Sequence, residues 1–257
     1  MNQVLRPSSP FPPSQELELA AINKSRASHL CKELMLLATQ AEQGHSPVET
    51  PFGAELWDLD TKHPAFIAAS ELLRLQAQNE RRHYELRRAL KIVHPESVRL
   101  DLLRGFSGSN KKNPPRKLLF YGDRLGALTA AVKRGFDAIS PEGVLVFSTD
   151  VAIADRIREK VRDFSQNAGS KKSIWRVLLV AVVIGRGFRP SVSLKDFATN
   201  SESAKHALQE FVSEGWQTLE FDGPGDKERT YLCQADNEEQ PTTERVLPCY
   251  LLEYISG

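Results

Sequence analysis

An α+β fold with a split, largely antiparallel sheet and flanking helices is what the sequence predicts, on three observations. Up to about residue 94 the apolar side chains recur at helical spacing. From Arg116 onward they gather instead in short β-rich runs at 117–121, 144–148, 176–184, 215–221, 230–235 and 247–255. Those runs are joined by hairpin-like spacings or by single helices (124–134, 150–165 and 201–213), which favours antiparallel neighbours.

Taken in order, residues 1–14 hold Pro7, Pro10, Pro12 and Pro13 and read as a disordered leader. Ser14 with Leu17 to Ala21 marks a capped helix start. Ala27, Leu30, Leu34, Leu37 and Ala41 then recur at helical spacing until Gly44 and Pro47 end the helix. This N-terminal unit (15–63) is either packed on its own domain or offers Leu30, Leu34 and Leu37 to a partner subunit. Residues 44–64 read as a connecting loop, with Trp57 and Leu59 pinning it to the core. The main domain is placed at 64–257. It opens with a long amphipathic helix from Pro64 to Val93, carrying Phe66, Ala69, Leu72, Leu73, Gln76, Glu80, Tyr84 and Leu86 near a 3.6-residue period. Pro95 limits it, helix resuming over Ser97 to Leu103 is an alternative, and 105–115 reads as a flexible loop.

Composition narrows the classes. The 34 basic and 33 acidic residues nearly cancel, so net charge does not point to nucleic acid and only local clusters can. Forty per cent apolar content is that of a globular chain. Cys31, Cys233 and Cys249 are widely spaced and odd in number, which gives neither a zinc pattern nor a disulfide framework and favours a reducing compartment. The longest apolar run, Val177 to Ile184, is too short to cross a bilayer, so no membrane partner is expected. His29, His45, His63, His83, His94 and His206 are scattered, with His29 and His83 expected on helices and capping or surface roles for the set. Asp58-Leu-Asp60 reads as a turn or cap. No metal set emerges.

Several motifs fall in one order. Leu72 to Arg88 is similar to the helix that opens the catalytic domain of poly(ADP-ribose) polymerases (PARPs). Leu119-Phe-Tyr-Gly122 falls where that family has Leu-Phe/Trp-His-Gly, and Gly143-Val-Leu-Val-Phe-Ser148 where it has Gly-Ile-Tyr-Phe-Ala. Trp175 to Gly185 matches a core strand, and Thr230 to Cys233 and Leu247 to Tyr254 match its last two strands. The chain thus resembles an ADP-ribosyltransferase domain over about residues 65–257.

The resemblance also implies what is missing. Cleaving NAD at the nicotinamide–ribose bond needs an amide clamp, an aromatic stack, ribose hydrogen bonds and a carboxylate for the oxocarbenium-like charge. The family's His falls on Tyr121, expected to project into the adenosine-ribose position. Its stacking Tyr falls on Val146 and its Glu on Thr230. Its amide-binding Ser falls on Ala154 and its second Tyr on Ile157, leaving Gly122 as the retained anchor of the cleft. Where about 1.4 kcal/mol is already tenfold in rate, these losses imply no catalysis and no bound cofactor. The expectation is a pseudoenzyme that holds other protein subunits, similar in this respect to the pseudo-PARP domain of TASOR, a heterochromatin-silencing scaffold. The expected compartment is the nucleus, with the cytoplasm as alternative.

Two other readings stay open. One is a divergent mono-ADP-ribosyltransferase using Ser148, Glu228 or Tyr121, since Phe147-Ser-Thr149 and Asp226-Lys-Glu228 imitate two elements of arginine-directed transferases. The first element, an Arg, is replaced by Tyr121. The other is a nucleic-acid-binding module using Lys111, Lys112, Arg158, Arg162, Lys171 and Lys172, although Asp155, Glu159 and Asp163 interleave with the second cluster.

Overall fold

A computed structural model describes residues 13–40, 55–80, 83–94, 116–123, 125–134, 136, 144–152, 154, 174–184, 187–190, 218–222, 229–234, 236–237, 240–241 and 246–256. The order is α1 (Pro13–Thr39), β1 (Glu55–Asp58), α2 (Pro64–Glu80), β2 (Tyr84–Val93), β3 (Arg116–Tyr121), α3 (Leu125–Arg134), β4 (Val144–Ser148) and β5 (Ile174–Val183). Then come β6 (Gly187–Phe188), β7 (Thr218–Asp222), β8 (Arg229–Gln234), β9 (Asp236–Asn237), β10 (Gln240–Pro241) and β11 (Val246–Ser256). One sheet runs β1-β2-β11-β5-β3-β4-β8-β7-β6, and β9 pairs with β10 apart from it. Every pairing is antiparallel except β6 with β7. The mixed α/β class and the mostly antiparallel sheet are therefore as the sequence predicts. Across its middle, β3 and β4 share one register pair, Phe120 with Ser148.

Where the sequence predicts one helix from Pro64 to Val93, the chain makes two elements. α2 stops at Glu80, and Tyr84 and Leu86 lie on β2, so the segment from Leu72 to Arg88 is not one helix. The reason is periodic. Tyr84 and Leu86 are buried between exposed His83, Glu85 and Arg87, the period of two of a strand, whereas only Tyr84 continues the i, i+4 row from Gln76 and Glu80 that suggests a helix. His83 accordingly sits before a strand and not on a helix. The expected loop 44–64 contains β1, which pairs with β2 from Glu55–Val93 to Asp58–Leu90. Its Trp57 is half-buried and Leu59 buried, as predicted. Asp60 closes a turn by accepting the Lys62 amide at 2.7 Å, and His63 Nδ1 accepts the Ala65 amide at 3.1 Å, capping α2 ahead of Pro64.

Two cores follow from strand alternation. One face of the sheet packs Leu118, Phe120, Val177, Leu179, Leu252 and Tyr254 under α1 and α2. The other packs Leu119, Tyr121, Leu178, Val180 and Val182 under Leu128, Ala131 and Val132 of α3 and under Phe136. β5, covered on both sides, is buried from Val177 to Val183, which explains its unbroken apolar run.

α1 is part of this body, and the expected partner surface is corrected. Leu30 and Leu34 are 1% and 0% exposed inside the first core, with half-buried Leu37 against it, so the stripe is spent on the chain's own sheet and α2. Arg26 holds Glu71 of α2 through two bonds of 2.9 and 3.0 Å. The boundary expected at residue 64 separates no two cores. α1 has no basic residue in its last turn, and its C-terminal carbonyls are met from below. Lys91 on β2, wholly buried, donates Nζ to Leu37 O at 2.7 Å and Gln40 O at 2.8 Å. Its register partner Tyr250 donates its hydroxyl to Leu34 O at 2.9 Å.

On the opposite face a charge row crosses four strands. Arg88 meets Asp58 at 2.8 Å, Arg176 meets Glu253 at 2.6 Å, and Glu253 adds to the field on Arg88. At the other end of β11 the register slips between Pro248 and Tyr250, and His94 Nε2–H donates to the Pro248 carbonyl at 2.6 Å. Burial holds this imidazole below the ordinary value of 6.5, the carbonyl bond opposing in part. The folded chain thus refuses a proton that the unfolded chain accepts. Stability is complete above the unfolded value and is lost as pH falls toward the folded one. The melting temperature is expected to drop between about pH 7 and about pH 5 more steeply in the native chain than in His94→Gln. Parallel curves would remove His94 from the account.

Candidate functional site

The place to look is the end of β3, where the strand leaves the sheet at Gly122 beside the β4 terminus. Strand alternation turns Tyr121 onto the α3 face, since Phe120 lies on the other. Its ring is 4% exposed, edge-on to Phe136 at 5.0 Å and tilted on Phe147 at 5.5 Å, with Phe136 and Phe147 themselves 5.6 Å apart. The phenol donates to Asp123 Oδ2 at 2.5 Å. Burial first, and the neighbouring carboxylate second, push its ionisation well above the usual range, so it is a fixed neutral donor and not a base. This corrects the expected projection of Tyr121 into a ribose position: the side chain is core, and its hydroxyl is tied to Asp123.

Across the seam, Ser148 ends β4 and starts a turn. Ser148 Oγ accepts the Asp150 amide at 3.0 Å, and Asp150 Oδ1 accepts the Ala152 amide at 2.7 Å, fixing the helical start at Val151 and Ala152. Ala154 N closes on Asp150 O at 3.3 Å, and Gln76 from the end of α2 donates to Thr149 O at 3.2 Å. That turn is pressed onto Gly122. A Cβ at residue 122 would lie 2.4 Å from the Ala154 carbonyl oxygen and 2.8 Å from its carbon. The glycine is therefore required by backbone-to-backbone packing within the chain. Gly122→Ala is expected to lower unfolding free energy by about 2 kcal/mol, because the obstacle is backbone and cannot rotate away. Chemical denaturation checks this, and an unchanged midpoint would mean that the 150–154 turn yields freely.

The remaining expected positions do not converge. Leu145 and Phe147 belong to the α3-side core, so Val146 shares the opposite face with Ser148, away from Tyr121. Thr230 stands at the register position opposite Ser148, in the row Phe120–Ser148–Thr230–Phe221. Tyr121 and Val146 thus face no common cleft. Gly122 and Ala154 do meet, as a closed contact. Ile157 and Glu228 lie outside the described residues, as do Lys111, Lys112, Arg158, Arg162, Lys171 and Lys172. Asp123, Phe136 and Asp150 join the site although no motif of the resemblance points to them. The Ser-x-Asp spacing at 148–150, ahead of a helix, was the available signal for the last.

Burial pushes the Cys31 and Cys249 thiols up to about 12, so neither is a thiolate near neutral pH. Among the described residues no group of three or more His, Cys, Asp or Glu side chains could hold a metal ion. No helix among them is long and apolar enough to cross a membrane. Neither the protein-family models nor the curated proteins compared with this chain match it.

Proposed function

We propose that the chain is a catalytically inactive ADP-ribosyltransferase-like domain that serves as a protein-interaction scaffold, with a nuclear silencing or RNA-linked assembly as its setting. The observation that carries the reading is the contact at Gly122. In the resemblance this glycine lies where NAD would come against the strand end, and here the Ala154 backbone fills that approach. The burial of Tyr121 among Phe136 and Phe147 points the same way, because a group locked in a core cannot orient a ribose. The antiparallel sheet with a one-pair seam agrees with a split sheet, while the finer family assignment rests on the motif order.

On this reading, calorimetric titration with NAD gives no binding heat and incubation with labelled NAD gives no transfer to the chain or to added protein. Micromolar affinity, or label lost on changing Glu228 to Gln, would overturn it in favour of a divergent transferase. The scaffold half is tested by native gel filtration of extracts. The endogenous chain should elute in an assembly larger than a monomer, and monomeric elution would count against it.

A further inference from the structure

We draw no further inference here: the strongest candidate, the charge row from exposed Asp58 and Arg88 to half-buried Glu253 and Arg176 on one face of the sheet with the exposed Ile174 at its margin, is already paired within itself and nothing in the structure shows what covers it.

Discussion

A chain that starts at residue 44, lacking α1, is expected not to fold. Leu30, Leu34, Met35 and Ala38 leave with the helix, each 4% exposed or less. Their burial alone is worth about 6 kcal/mol at roughly 1.5–3 kcal/mol for each large side chain. The sheet face beneath, including Tyr250 and Leu252, would open to water at the same time. Domains are stable by only about 5–15 kcal/mol in total, so the loss takes most of the margin or all of it. The buried Lys91 would also lose both carbonyl partners. Circular dichroism and solubility of the truncated chain decide the matter. A soluble product that melts cooperatively would show that the chain from residue 44 onward, β1 included, folds by itself and that α1 is an appendage.

Lys91→Ala is expected to cost about 4 kcal/mol. Two charge-assisted bonds disappear at roughly 1.5–3 kcal/mol each, offset in part because the ammonium no longer has to be desolvated. The carbonyls of Leu37 and Gln40 are left facing a void where the lysine stem lay. Lys91→Met separates these effects, since it restores the stem and not the donor, and about half of the loss should return. Combining Lys91→Met with Tyr250→Phe tests whether the two donors act as a unit. A clamp on one helix end predicts a coupling of about 1 kcal/mol, read from urea denaturation of the four chains. Additive effects would mean that each donor serves its own carbonyl alone.

Much of the sheet was legible in the sequence. The runs at 117–121, 144–148, 176–184, 215–221, 230–235 and 247–255 became β3, β4, β5, β7, β8 and β11 within about three residues, because β-branched and aromatic runs bounded by turns have few other uses. β2 was not legible as a strand. Its alternation is broken by a register slip between Glu253 and Tyr254 on its partner β11, and it follows a helix whose period it briefly continues. Lys91 was invisible as well. A lysine in a strand reads as solvated, and nothing local says that a helix end will descend on it. At the site, Gly122 was singled out as a cleft anchor, whereas the structure gives it a packing reason that the sequence alone could not show. Its partner is a backbone carbonyl 32 residues downstream, and backbone leaves no trace in residue identity. Tyr121 was placed in the cleft by motif alignment, whereas strand parity with Phe120 decides which way it turns.

The one-pair junction between β3 and β4 has a mechanical consequence. Load applied across the sheet cannot be shared along a ladder of backbone bonds there, as it is between β5 and β11. It falls on the Phe120–Ser148 pair and on the Tyr121–Phe136–Phe147 ring cluster beside it. The five strands from β1 to β3 and the four from β4 to β6 therefore meet at a narrow junction, reinforced by those rings and by the backbone contact of Gly122 with Ala154, and a tear across the sheet is expected to start there.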